Sequence, residues 1–197
     1  MNEAVFARHQ KLSQTNRLAL FFYILYRRLV EQGPALTFLW IEDKVLRNLI
    51  GASPPHLSQV MPRLFVGGQH RRHGLPRMRE WGIGAIVNMR EEFDDAEHGL
   101  ALEHYLWLPT TDDTPPTFEA LERGAAFIAE QIDAGRGVYV HCASGVGRAP
   151  TMAAAYLITQ GLDAEDAWRQ IQQGRPFVRP TPTQMKVIDA FAARTHG

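Results

Sequence analysis

Cysteine is almost absent: the 197 residues contain one, Cys142. A lone cysteine excludes an intrachain disulfide, a CxxC metal site and a two-thiol redox pair within the chain. It suits a reducing compartment, where the thiol stays free for chemistry. Net charge is absent too. With 21 basic and 21 acidic residues, no overall field implies nucleic acid as a partner, and any preference for anions is local. Long apolar runs are also missing. The longest, residues 18–26, falls short of the roughly 20 residues a spanning helix needs, so no transmembrane helix is expected. Residues 1–17 carry neither the apolar stretch nor the small-residue cleavage site of a secretory signal and are expected to remain in the mature protein. The expected location is cytoplasmic.

What is present is enough apolar material, 45% of the residues, for one full core. From Thr15 to about Glu31, apolar residues recur at helical spacing, with Arg17, Arg27 and Arg28 among them. Gly33-Pro34 breaks this helix, and a second periodic stretch from about Phe38 ends at Gly51. Residues 1–57 therefore read as a helical extension and 58–197 as the domain that carries the chemistry. Within 58–197, strand candidates at Leu64-Phe65-Val66, Ala85-Ile86-Val87, His104 to Leu108 and Val138-Tyr139-Val140 alternate with helices. The helices start near Pro76, at Thr117, at Pro150, at Asp163 and after Thr181. Such alternation predicts an α/β fold with a central, mostly parallel sheet flanked by helices.

The chemistry concentrates where the last strand candidate meets a helix. His141-Cys142-Ala143-Ser144-Gly145-Val146-Gly147-Arg148 is a glycine-bearing loop between the two. Gly145 and Gly147 permit backbone angles closed to other residues, and a following helix offers unpaired N–H groups and the positive end of its dipole. Residues 143–148 thus predict an anion cradle. A thiolate at its first position would be stabilised by those N–H groups and by the Arg148 guanidinium, whose planar fork takes two phosphate oxygens. No Lys-Ser or Lys-Thr pair follows the glycines, so this is not the nucleotide-triphosphate loop.

His141-Cys142, five residues and Arg148 resemble the HC-x5-R signature of the protein tyrosine phosphatase superfamily, dual-specificity type. The resemblance implies a phosphocysteine intermediate on Cys142, phosphate held by residues 143–148, and His141 in support. It implies no cofactor and no metal. It also implies an acid loop upstream, which falls on Leu108-Pro109-Thr110-Thr111-Asp112-Asp113. Spacing after Leu-Pro ranks Asp112 first as the proton donor and Asp113 second. Most members carry a hydroxyl residue directly after the arginine to assist thiolate departure, whereas here that position is Ala149. The Arg-Ala-Pro that results is similar to the phosphatases of regenerating liver, without their second cysteine. Ala149 is also the one feature favouring a phosphate-binding module with weak turnover. A sulfur-transfer domain is a further rival, but it needs no upstream aspartate.

Other residues read less sharply. Arg175 and Arg179 are expected to extend a positive rim. Gln184 reads first as part of a capping box with Thr181 and second as a positioner of water. Arg90 reads equally as a phosphate contact or an ion-pair partner of Glu91 or Glu92. His70-Arg71-Arg72-His73 reads as a solvated basic loop rather than a metal site. The expected substrate is a phosphorylated protein carrying phosphotyrosine, phosphoserine or phosphothreonine. A phospholipid headgroup is the alternative, because Phe22 to Tyr26, Trp40 to Asp43 and the Leu-Pro-Thr-x-Asp pattern resemble phosphatidylglycerophosphate phosphatases. The apolar face of residues 15–31 is expected to pack on the rest of the chain or on a second copy, with peripheral membrane contact as the alternative. Oligomeric state is not legible.

Overall fold

A computed structural model describes residues 17–197, with side chains from residue 21 onward. The expected helix start at Thr15, the opening segment and the side chains of Arg17 and Leu18 lie outside the described residues. Strand β5 (Gly137–Cys142) is buried at every position. It runs parallel to β2 (Leu64–Gly68) on one side and to β3 (Ile83–Arg90) on the other. A strand covered on both faces needs consecutive rather than alternating apolar residues, which is why Val138-Tyr139-Val140 forms an unbroken run. Strand β4 (His104–Thr110) adds in parallel beyond β3, and β1 (Gln59–Met61) closes the other edge antiparallel to β2, giving the order β1-β2-β5-β3-β4. The mostly parallel sheet and its helices form the α/β fold expected. Strand β1 has no counterpart among the expected strands, because three residues are too few to show a period.

The two-residue period of β5 divides the core. Val138, Val140 and Cys142 point to the side of α3 (Phe118–Asp133), α4 (Arg148–Thr159), α5 (Ala164–Gly174) and α6 (Pro182–His196). Tyr139 points the other way, into a smaller cluster with Phe65, Ile86 and Met78 of α2 (Leu75–Glu80). Helix α4 lies directly behind the sheet, buried along all of Arg148 to Ile158. Alanines at 149, 153, 154 and 155 allow this close approach. Thr181 caps its helix as expected, and the helices expected to start at Thr117 and Asp163 begin one residue later with those residues as their caps. Helix α4 begins at Arg148, two residues before Pro150. Proline is tolerated there because a first-turn N–H has no intrahelical partner.

Helix α1 (Arg17–Ile50) is interrupted at Gly33, whose φ of 82° only glycine adopts readily. The second limb starts at Pro34 rather than near Phe38, and Thr37 donates to the Gly33 carbonyl at 2.7 Å. The inner face of α1 packs on Leu57, Phe177 and Val146 through Phe21, Ile24 and Trp40. This is the packing use of the face. Its outer face leaves Phe22, Tyr26, Val30, Phe38 and Leu49 exposed. No helix among the described residues is long and apolar enough to cross a membrane.

The end of β2 abuts the loop after β5, and one glycine makes the contact feasible. Gly145 has φ of 67°, and a Cβ there would lie 2.3 Å from the Gly67 carbonyl. Gly145→Ala is expected to cost about 2 kcal/mol or more, a fall in Tm of roughly 5 °C for a chain of this size. It should also abolish inorganic phosphate binding. Thermal unfolding and phosphate titration of the same sample check both.

Candidate active site

Cys142 stands at the carboxyl end of the central strand, 3% exposed, with its Sγ 3.2 Å from the Gly145 N–H. The five residues after it have their carbonyls tied to donors outside the loop. Ala143 O accepts from Arg47 Nη1 at 3.0 Å and from the Gln69 N–H at 3.2 Å. Ser144 O accepts from Arg175 Nη2 at 3.0 Å and Gly145 O from Arg175 Nε at 2.6 Å. Val146 O accepts from the Arg179 N–H at 2.7 Å, and Gly147 O from the Thr151 N–H at 3.1 Å. With successive carbonyls fixed outward, the intervening N–H groups are left to converge on the thiol side, which makes an anion nest. Gly147 caps α4 without a side chain, so the first helical N–H groups join that nest.

The donors that hold the carbonyls are held in turn. Arg175 is fully buried and forms a two-toothed pair with Asp43 of α1, at 3.2 and 3.1 Å, while its Nη1 also donates to Leu57 O at 2.7 Å. Arg47, one turn along α1, lies 3.7 Å from the same Asp43. Burial alone would raise the Asp43 pKa, but Arg175 and Arg47 bring it below the usual carboxylate value. The expectation that Arg175 extends a positive rim is therefore corrected. Its charge is spent inside, on the backbone of the loop. Asp43 entered the sequence reading only within Trp40 to Asp43 and Arg47 not at all, because nothing local links a helix near residue 45 to a loop near 144.

Arg148 is buried and donates from Nη1 to Glu92 Oε2 at 2.9 Å and to Thr110 O at 2.8 Å, and from Nη2 to Glu92 Oε1 at 3.1 Å. Its Nη2 also meets Asp112 Oδ1 at 2.9 Å. Burial opposes its charge, but Glu92, Cys142 and Asp112 outweigh burial and hold the guanidinium firmly protonated. Burial would raise Glu92, and the bond from Arg148 overrides this, pulling its pKa down to about 2. Asp112 is two-thirds exposed at the pocket mouth. Asp113 beside it has φ of 60°, and its carbonyl accepts from Thr181 Oγ1 at 3.3 Å. Arg90 takes its ion-pair reading, 2.8 Å from Glu92, and reaches Gln69 as well. Gln184 completes the capping box, donates to Thr114 O at 2.9 Å and also lines the pocket.

His141, directly before the nucleophile, places Nε2 2.7 Å from Asp95 Oδ2. His70 joins them, with Nε2 donating to Leu100 O at 2.8 Å and lying 3.9 Å from Asp95. The reading of residues 70–73 as a solvated loop is thus wrong for His70, which is 1% exposed, and right for His73. Burial, with the neighbouring His141, pushes the His70 pKa down to about 4. Burial would raise Asp95, but both histidines bring it below its ordinary value. Among the described residues these three form the one group whose ligand atoms converge, within 4.8 Å. The Asp95 hydrogen bond and the edge-on packing of the His70 ring, 5.1 Å from that of His141, together support His141.

The expected residues gather on one cavity of about 470 Å³, lined by Cys142, Ala143, Ser144, Val146 and Gly147 on its floor and by Asp112 and Asp113 on one side. Gly145 and Arg148 are not among the lining residues; they reach the site through the Gly145 N–H to Sγ and the Arg148 pair with Asp112. The opposite wall comes from α1 and was not foreseen.

A cysteine at the end of a central parallel strand, an outward-carbonyl loop and a buried arginine opening the next helix define the architecture of cysteine-based phosphatase domains. Residues 64–194 match the dual specificity phosphatase catalytic domain, and the chain belongs to that family. It is 39% identical over 145 residues to human phosphatidylglycerophosphatase and protein-tyrosine phosphatase 1, covering 73% of this chain and 68% of that protein. It is 28% identical to phosphatidylglycerophosphate phosphatase PTPMT2 of Arabidopsis thaliana, covering 68% of this chain and 61% of that protein. It is 30% identical to rat dual specificity protein phosphatase 12, covering 74% of this chain and 44% of that protein. The chain thus spans less than two thirds of the length of the last two. The crystal structure of PTPMT1 in complex with PI(5)P superposes with a TM-score of 0.63 at 25% identity, covering 69% of this chain and 94% of that one.

Asp43→Asn is expected to destabilise the fold by about 3 kcal/mol, the usual cost of stranding one partner of a buried pair. The folded pKa of Asp43 lies below the unfolded value, so its contribution is full above about pH 4 and lost as pH falls further. Urea unfolding of wild type and Asp43→Asn should therefore show a stability difference that shrinks below about pH 4.

Proposed function

We propose that the chain hydrolyses phosphate monoesters through a phosphocysteine intermediate, with residues 58–197 as the catalytic domain and α1 completing its pocket. The observation that carries this reading is the run of outward-tied carbonyls from Ala143 to Gly147, which leaves an anion nest around the Cys142 thiol. The substrate phosphate enters that nest and displaces Asp112 from Arg148 Nη2, while Glu92 keeps the guanidinium plane oriented. Asp112, released from Arg148, takes up a proton from solvent; the Cys142 thiolate then attacks phosphorus, the bond to the ester oxygen breaks, and protonated Asp112 gives its proton to the leaving oxygen. Water then attacks the phosphocysteine, gives its proton back to Asp112 and releases inorganic phosphate and the thiolate. Ala149 offers no hydroxyl to that departing sulfur, so the second step is the slow one. Asp112 is preferred because its carboxylate reaches the guanidinium that takes the phosphate, 2.9 Å from Arg148 Nη2.

A phosphoprotein substrate is the general reading for this family. A second reading, a phosphorylated lipid headgroup, is favoured by the wall that α1 adds. Tyr23, Ile24, Arg28 and Trp40 line the same cavity as Cys142, adding apolar and cationic surface beside the nest that suits a lipid phosphate's headgroup and glycerol. Relatives named as phosphatidylglycerophosphate phosphatases support the same reading.

Hydrolysis of para-nitrophenyl phosphate is expected to require Cys142 and to vanish in Cys142→Ser. Asp112→Ala should lose roughly 100-fold on an alkyl phosphate, whose alkoxide cannot leave without a proton, and much less on the nitrophenyl ester. Asp113→Ala should stay within a few-fold on both. A larger loss for Asp113→Ala would transfer the acid role to that residue, and an active Cys142→Ser would end the cysteine mechanism. Comparing a short-chain phosphatidylglycerophosphate with a phosphotyrosine peptide ranks the two substrate readings.

A further inference from the structure

We propose that Lys44, on the pocket wall contributed by α1, binds a second anionic group carried by the same small substrate molecule whose phosphate monoester faces Cys142. This rests on the phosphatase reading above and narrows it to compounds bearing a phosphate monoester and a neighbouring phosphodiester or similar anion. Lys44 and Cys142 line one cavity of about 470 Å³, which leaves room for much more than a phosphate group.

The cations around that cavity differ in what already occupies them. Arg27 and Arg179 share Glu31, the latter at 3.0 Å. Arg28 donates to Gln32 at 2.7 Å and to Phe177 O at 3.3 Å, and stacks over Trp40. Arg148 is bound by Glu92 and Asp112. Lys44 is the exception among the described residues. Its ammonium sits over two rings, 5.2 Å from the Trp40 centroid and 5.0 Å from that of Phe21, with no carboxylate or carbonyl bonded to it. Ring faces orient an ammonium but do not neutralise it, so its hydrogen-bonding capacity is left for an acceptor from outside.

The position is rigid. Asp43, the preceding residue, grips Arg175, and Arg47, three residues or about 4.5 Å of helix axis further on, bonds Ala143 O. The turn that carries Lys44 is therefore fixed to the loop that carries Cys142. Burial lowers the Lys44 pKa, and the neighbouring Arg47 and Arg28 lower it further, with no anion to offset them. A bound anion would relieve that local excess of positive charge. This helix lies before the residues that match the catalytic-domain family, so the subsite belongs to the extension of this chain rather than to the shared domain.

The test is steady-state kinetics of wild type, Lys44→Met and Lys44→Arg on three substrates. These are para-nitrophenyl phosphate, a short-chain phosphatidylglycerophosphate and its deacylated, water-soluble counterpart. Methionine keeps the apolar stem over Trp40 and removes the charge, and arginine restores the charge. Lys44→Met is expected to raise KM about 10-fold on both compounds with a second anion, as for loss of one charge-assisted bond. Its kcat, and both constants on para-nitrophenyl phosphate, should stay within about 2-fold. Lys44→Arg should recover most of the affinity. An equal loss on para-nitrophenyl phosphate would show a structural role and overturn the proposal. A loss confined to the acylated compound would overturn it in favour of contact with the lipid phase, and no loss on either compound with a second anion would overturn it outright. Wild type inactive on all three substrates would instead defeat the phosphatase reading itself.

Discussion

The buried pair between Asp43 and Arg175 is the interaction on which the site depends. Arg175 fixes the carbonyls of Ser144 and Gly145, and Asp43 is what lets so polar a group sit at zero exposure. Two charges removed from water are tolerated only when each is paired and further hydrogen-bonded, and both conditions are met here. Without the pair the loop carbonyls would be free to turn inward, replacing donors with acceptors where an anion must bind. Asp43 also positions Arg47, so one carboxylate on α1 governs three successive loop carbonyls. The extension and the domain are thus joined at the point where chemistry takes place.

The same logic runs outward from the loop. Gly145 is the residue whose N–H meets the thiol, and its positive φ is what allows the backbone to pass so close to β2. Arg148 opens α4 and is oriented by Glu92 from the end of β3 and by the Thr110 carbonyl at the end of β4. The carboxyl ends of three parallel strands therefore converge on one phosphate position, the general place for ligands in parallel α/β sheets. His141, Asp95 and His70 brace the remaining side of the nucleophile strand. Helix α1 then supplies the fourth wall of the pocket.

Much of this was legible in the sequence where the signal is local. The β5 run, the glycine spacing, the helix starts at Thr117 and Asp163 and the capping box at Thr181 each reside within a few residues, and each fell within a residue of where it was expected. Cys142, Arg148 and the aspartate pair could be placed on one site because strand–loop–helix order and an upstream turn are themselves local patterns. What could not be read was pairing across long separations. Arg175 and Asp43 stand 132 residues apart, and the likeness of the segment around Arg175 to the family's Arg-Pro stretch made it look like a rim charge. His70 looked solvated because its neighbours Arg71, Arg72 and His73 are, although its own side chain turns into the sheet. Glu92 read as a partner of Arg90, which it is, while its bidentate hold on Arg148 depends on sheet order that no local pattern carries.

The central claim is that Cys142 itself accepts the phosphoryl group in a loop built for that purpose. It is tested most directly by mixing wild type with excess substrate, quenching in acid within one turnover, and mapping the modified peptide by mass spectrometry. The account predicts one phosphoryl group on Cys142, accumulating because Ala149 cannot assist its hydrolysis. Product released within that turnover with Cys142 unmodified, or a phosphoryl group found on another side chain, would contradict it.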